Sequence, residues 1–104
     1  MKQTKTLMGV VYKYDGSIDN GLIIYKKINI KIPKIIINAI KSEIIRRSPV
    51  LMGACRDNPI KNSIGESLKM RGYSPQNLSY VIPLLIEEGF CAANDIRPFV
   101  ITKK

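Results

Sequence analysis

A chain of 104 residues, 45% hydrophobic and 24% charged, supports one domain with its own core (residues 1 to 104), and its composition excludes a disordered segment. Seventeen Lys/Arg against eight Asp/Glu leave a net charge of +9, which points to a polyanionic partner such as nucleic acid. The absence of histidine removes the commonest acid–base catalyst, and no apolar run approaches the ~20 residues of a membrane-spanning helix.

Residues 6 to 14 (TLMGVVYKY) and 22 to 30 (LIIYKKINI) are β-branched and apolar. The turn signals Asp15-Gly16-Ser17 and Asn20-Gly21 separate them, so residues 1 to 32 read as an antiparallel hairpin. The period then changes. Ile36, Ile40 and Ile44 are spaced by four, with Ile37 and Ile45 alongside, which predicts a helix over 34–47. Pro33 suits its start, Arg46 and Arg47 suit its negative C-terminal end, and Ser48-Pro49 stops it. Residues 48 to 62 hold two prolines and a glycine and read as a connector, with room for an extended piece at 50–55.

Ser63, with Glu66 three residues on, has the pattern of a capping box and opens a short helix that Gly72 ends. Ser74 and Pro75 open a second helix to about Glu88, with Leu78, Val81, Ile82 and Leu85 as its buried stripe. Residues 90–93 and 98–102 read as two strands turning at Asn94-Asp95, the order expected of a β-hairpin wing after a helix-turn-helix over 63–88. The fold expected is therefore α+β: a winged helix-turn-helix with an extra N-terminal β-hairpin.

A helix-turn-helix sends the N-terminal half of its second helix into the major groove, where base edges present distinct donors and acceptors. The residues expected to be exposed there are Ser74, Gln76, Asn77, Ser79 and Tyr80, all able to hydrogen-bond bases or phosphates. The alternative for these residues is an ordinary capped surface helix.

The stretch SIGESLKMRGYSPQNLSYVIPLLIEEGFC resembles the helix-turn-helix core of bacterial and archaeal winged-helix regulators of the arsenical-repressor and multiple-antibiotic-resistance type. In that family the second helix reads S-x-x-(V/L)-S-x-x-L-x-x-L-x-x-x-G-(L/F)-(V/I). The matching positions are Ser74 or Gln76, then Leu78, Ser79, Ile82, Leu85, Gly89, Phe90 and Cys91. The first helix matches at Ser63, Ile64, Gly65, Glu66 and Leu68. The resemblance implies that Gln76, Asn77, Ser79 and Tyr80 face the groove and that Arg97 sits at the wing. It spans residues 63–102 and rests mainly on packing positions.

Two features depart from that pattern. Pro83 lies inside the second helix, where it removes a backbone bond and crowds the preceding turn. No Lys or Arg occurs between Pro75 and Glu88, yet phosphate contacts dominate DNA affinity. Those contacts are expected from Lys61, Lys69, Arg71 and Arg97, with Lys103, Lys104, Arg46 and Arg47 as further candidates. Residues 1–52 carry ten Lys/Arg against three Asp/Glu, and residues 53–104 seven against five. A fold that sets this basic N-terminal half beside the wing favours DNA, and one that sets it on the far side favours a protein partner.

Cys55 and Cys91 form no metal motif and fit free thiols in a reducing cytoplasm. No P-loop, GxSxG or carboxylate pair is present, so no enzyme, cofactor or metal site is expected. The function expected is sequence-specific duplex DNA binding by a small transcriptional regulator, with a possible homodimer through the N-terminal hairpin. The alternatives are a winged-helix protein-interaction module and an RNA- or replication-associated winged helix.

Overall fold

The computed structural model describes residues 1–104 and is mixed α+β. Four strands open the chain: β1 (Lys2–Lys5), β2 (Val11–Ser17), β3 (Gly21–Tyr25) and β4 (Ile30–Ile32). They form an antiparallel sheet in chain order, β1-β2-β3-β4. Alternation sets its two faces. Tyr12, Tyr14, Leu22, Ile24 and Ile32 point inward and are buried, with Tyr14 opposite Ile24 and Leu22 opposite Ile32. Lys13, Tyr25, Ile23 and Lys31 fall on the other face.

The expected hairpin is thus a four-stranded meander. Asp15, Gly16 and Ser17 lie within β2, and the reversal comes at Ile18–Asn20. Residues 6–9 are a tight turn instead of strand: the Thr6 carbonyl accepts from Gly9 N–H, and its hydroxyl accepts from Val10 N–H. Those two bonds hold an apolar segment out of the ladder.

Helix α1 (Lys34–Arg47) buries Ile36, Ile37, Ile40 and Ile44 of the stripe its spacing predicts, together with Ala39 and Glu43, while Ile45, also expected alongside, turns away from the core and is exposed. Ser48 N–H caps it by bonding the Ile44 carbonyl. The connector that follows contains strand β5 (Val50–Leu51). Helix α2 (Ile64–Met70), a single 3-10 turn (Pro75–Asn77) and helix α3 (Leu78–Glu87) come next. The chain closes with β6 (Cys91–Ala93) and β7 (Val100–Lys103). These three strands make a second antiparallel sheet in the order β5-β7-β6, with Ile101 opposite both Val50 and Ala93. The predicted two-strand ribbon therefore gains a third strand from the connector.

The residues joining β6 to β7 form a longer loop than an Asn94-Asp95 turn. The Asn94 amide donates to the Ile96 carbonyl at 2.8 Å, and its side-chain oxygen accepts from Val100 N–H at 2.7 Å.

One continuous core joins both sheets and all three α-helices. Helix α3 runs through its middle. Leu78, Tyr80, Val81, Ile82, Pro83, Leu84 and Leu85 are all buried, so the helix is enclosed on nearly every side. No helix is long and apolar enough to cross a membrane.

Candidate nucleic-acid interface

The entry to α3 is built from local hydrogen bonds. Ser63 Oγ accepts from Glu66 N–H at 3.1 Å and caps α2. Glu66 reaches back past the cap to Asn62 N–H at 3.0 Å, so the reciprocal bond of the capping box is displaced by one residue. Tyr73 N–H bonds the Leu68 carbonyl, and Gly72, at φ +85°, makes the reversal. Ser74 Oγ accepts from Gln76 N–H at 3.3 Å and opens the 3-10 turn.

The close approach of α2 to the connector depends on two further glycines. Gly65 N–H bonds the Met52 carbonyl at 2.9 Å. A Cβ at Gly65 would lie 1.7 Å from the Gly53 carbonyl oxygen.

The residues expected to face a groove separate here. Ser74 and Gln76 are exposed, and Ser79 is half-buried. Asn77 and Tyr80, expected to be exposed, keep only 7% and 8% of their surface. For Tyr80 the N-terminal sheet is the cause. The Tyr12 hydroxyl donates to the Tyr80 carbonyl at 2.7 Å, and the two rings meet edge to face at 5.1 Å. Lys26 Nζ donates to the Tyr80 hydroxyl at 2.8 Å and lies over its ring. Further along, the Thr4 hydroxyl donates to Glu87 Oε1 at 2.7 Å. The sheet thus covers the face of α3 that carries Tyr80, Leu84 and Glu87.

The same packing brings Lys26 and Lys27 of the basic N-terminal half beside α3. Two hollows of about 400 and 440 Å³ share Thr6, Met8 and Ser79 along their walls and so adjoin. Lys26 and Lys27 line the second hollow, and Arg97 and Cys55 the first. The result is a furrow across the N-terminal half of α3, with an apolar floor and cations at both ends.

Lys69 and Arg71 belong to a different part of the surface. Lys69 Nζ donates to the Asp57 carbonyl at 2.5 Å. Arg71 joins Arg46 and Arg47 around the carboxylate of Glu43, which is buried in α1. Arg47 Nη1 donates to Oε1 at 2.8 Å, Arg46 donates to Oε2, and Arg71 Nη2 lies 3.9 Å from Oε2. Burial alone would push the Glu43 carboxyl up. Hydrogen bonds from Arg47, Arg46 and Ser67 outweigh it and hold the carboxyl below its ordinary range. Lys61 is exposed.

From the sequence, Lys26 and Lys27 belong to an N-terminal hairpin whose place beside α3 was open, and neither Tyr12 nor Glu43 stands out as a site residue. Two signals were present. Residues 80–86 (YVIPLLI) carry no charge on any face, the pattern of an enclosed helix. Glu43 stands three residues after Ile40 on the apolar stripe, with arginines three and four residues on. No protein-family model, curated protein or solved structure matches the chain.

Proposed function

We propose that this chain is a winged-helix protein that binds duplex DNA as a small regulator, through a composite basic surface. The winged-helix reading is supported by the order α1–β5–α2–α3–β6–β7 with strand order β5-β7-β6, the path of such a domain with its wing last. The DNA reading rests on one observation: Lys26 and Lys27 on one side and Arg97 on the other flank the N-terminal half of α3. These cations supply the phosphate contacts that α3 itself lacks.

Tyr80 and Asn77 take no part in base reading, because their surface is spent on the core. Ser74, Gln76 and Ser79 are the polar groups left to face bases. With so few readers, affinity comes mostly from phosphates and sequence preference is modest.

The test is fluorescence anisotropy with a labelled mixed-sequence duplex at several salt concentrations. The Lys26→Ala/Lys27→Ala variant is expected to bind more weakly on all sequences, with a log–log salt slope smaller by about 2. Gln76→Ala is expected to leave the slope unchanged and reduce sequence preference. Absence of binding at low salt would refute the DNA reading. The protein-interaction module would then be favoured, because Met8, Val10 and Val11 present exposed apolar surface beside the furrow.

A further inference from the structure

We propose that Arg46 and Arg71, held against the buried carboxylate of Glu43, form a fork that binds a phosphate group. Where that phosphate belongs to nucleic acid, the inference rests on the reading above; for a free polyphosphate it stands alone.

Three guanidinium groups gather on one carboxylate. Arg47 has a structural task. It bonds Glu43 Oε1 with one nitrogen and the Asn62 carbonyl with the other, tying α1 to the segment before α2. Arg46 and Arg71 are different. Both approach the same oxygen, Oε2, from separate helices: Arg46 from the last turn of α1 and Arg71 from the C-cap of α2. Their side chains are 59% and 46% exposed, against 2% for that of Glu43. Arg46 makes no other hydrogen bond to the protein, and Arg71 lies too far from Oε2 for a direct one.

One carboxylate neutralises one of the three cations and leaves a surplus of two. Like charges held this closely repel each other, so the grouping is costly as a purely structural device. An oxyanion on the solvent side relieves that repulsion. Phosphate fits this site better than a carboxylate does. Its charge approaches the surplus, and its several oxygens can accept from both guanidinium groups at once. Glu43 is the anchor. It bonds Arg46 and attracts Arg71, while both arginine side chains stay about half exposed to solvent.

The experiment follows the arginine side-chain N–H resonances of the full chain by NMR during titration with pyrophosphate. A parallel titration uses sodium chloride at matched ionic strength, and a third uses a DNA duplex. Arg46 and Arg71 signals are expected to shift together and saturably with pyrophosphate, with Arg47 little affected. Binding should weaken by about tenfold or more in Arg46→Gln/Arg71→Gln. Arg71→Lys, which keeps the charge and loses the fork, should also weaken it. Equal shifts with chloride would overturn the proposal, as would pyrophosphate binding by the double variant at wild-type affinity.

The DNA arm identifies the source. A double variant that loses pyrophosphate affinity and also shows a reduced salt slope on DNA supports a backbone phosphate as ligand. Loss of pyrophosphate binding with DNA binding unchanged supports a free polyphosphate. Pyrophosphate binding in a wild-type protein that ignores DNA upholds the fork and refutes the function proposed above.

Discussion

The Tyr12 hydroxyl donates a 2.7 Å hydrogen bond to the backbone carbonyl of Tyr80, 68 residues along the chain and inside the core. This bond joins the middle of the N-terminal sheet to the helix that, from sequence, would be the exposed reader. The helix is locally short of donors, since Pro83 has no N–H to offer the Ser79 carbonyl. The sheet covers α3 one residue beyond that gap, through the Tyr80 carbonyl.

Removing that hydroxyl tests the attachment. Tyr12→Phe keeps the ring and its edge-to-face contact with Tyr80, and should cost about 1 kcal/mol in urea denaturation. Tyr12→Ala removes the ring too and should cost about 3–5 kcal/mol. The pH dependence has a definite sign. Burial, then Glu87, Tyr14 and Tyr80, push the Tyr12 hydroxyl far above its ordinary value. Its contribution is intact below about pH 10, the unfolded value, and is lost as pH rises toward the folded one. Tyr12→Phe should flatten part of this alkaline loss, and an unchanged alkaline profile would argue against the contact.

The acid limb belongs in part to Glu43. Its pKa is depressed in the folded protein, so its stabilisation is present above about pH 4.3, the unfolded value, and fades as pH falls through the folded one. Glu43→Gln should cost about 1–3 kcal/mol at neutral pH, and the gap to wild type should shrink in acid. Denaturant midpoints measured across that range check both statements.

Two glycines should respond differently to the same substitution. Gly65→Ala drives a methyl into the Gly53 carbonyl, with backbone on both sides of the clash, and should cost about 3 kcal/mol. Gly72 has open space around it and only its positive φ to defend. Gly72→Ala should cost about 1–2 kcal/mol. Thermal melts of the two variants side by side would show whether the α2–connector contact is as tight as described.

The thiols provide a readout of burial. Cys55 is exposed and Cys91 is buried. Burial pushes the Cys91 thiol up, against a smaller opposing effect of Lys103 and Lys104. A thiol reagent should label Cys55 at once in the native protein and Cys91 only in denaturant. Rapid labelling of both would mean that the β6–β7 sheet opens readily.

Several elements were legible because their causes are local. The four-residue spacing of Ile36, Ile40 and Ile44 is enough to specify α1. Ser63 caps α2, and Ser74 with Pro75 opens the turn into α3, each through bonds spanning two or three residues. The Thr6–Val10 turn was not legible, because TLMGV has the composition of a strand, and the bonds from Gly9 and Val10 N–H to Thr6 that bend it leave no periodic signal. The extended piece expected at 50–55 is the short strand β5, but its place in a sheet was not legible for a different reason. Two residues carry no period, and Val50 and Leu51 become a strand only by pairing with Ile101 and Val100.

By itself, the sequence determined the helices, their caps, the closing hairpin and the basic excess of the N-terminal half, since each follows from neighbours in the chain or from counting. Only the tertiary structure decided which side of α3 is free. Its apolar residues could satisfy themselves against any hydrophobic surface, and hydrophobic burial carries no address. The address comes from Tyr12, Lys26 and Thr4, which bond to α3 across long stretches of chain and take Tyr80 out of the expected reading face.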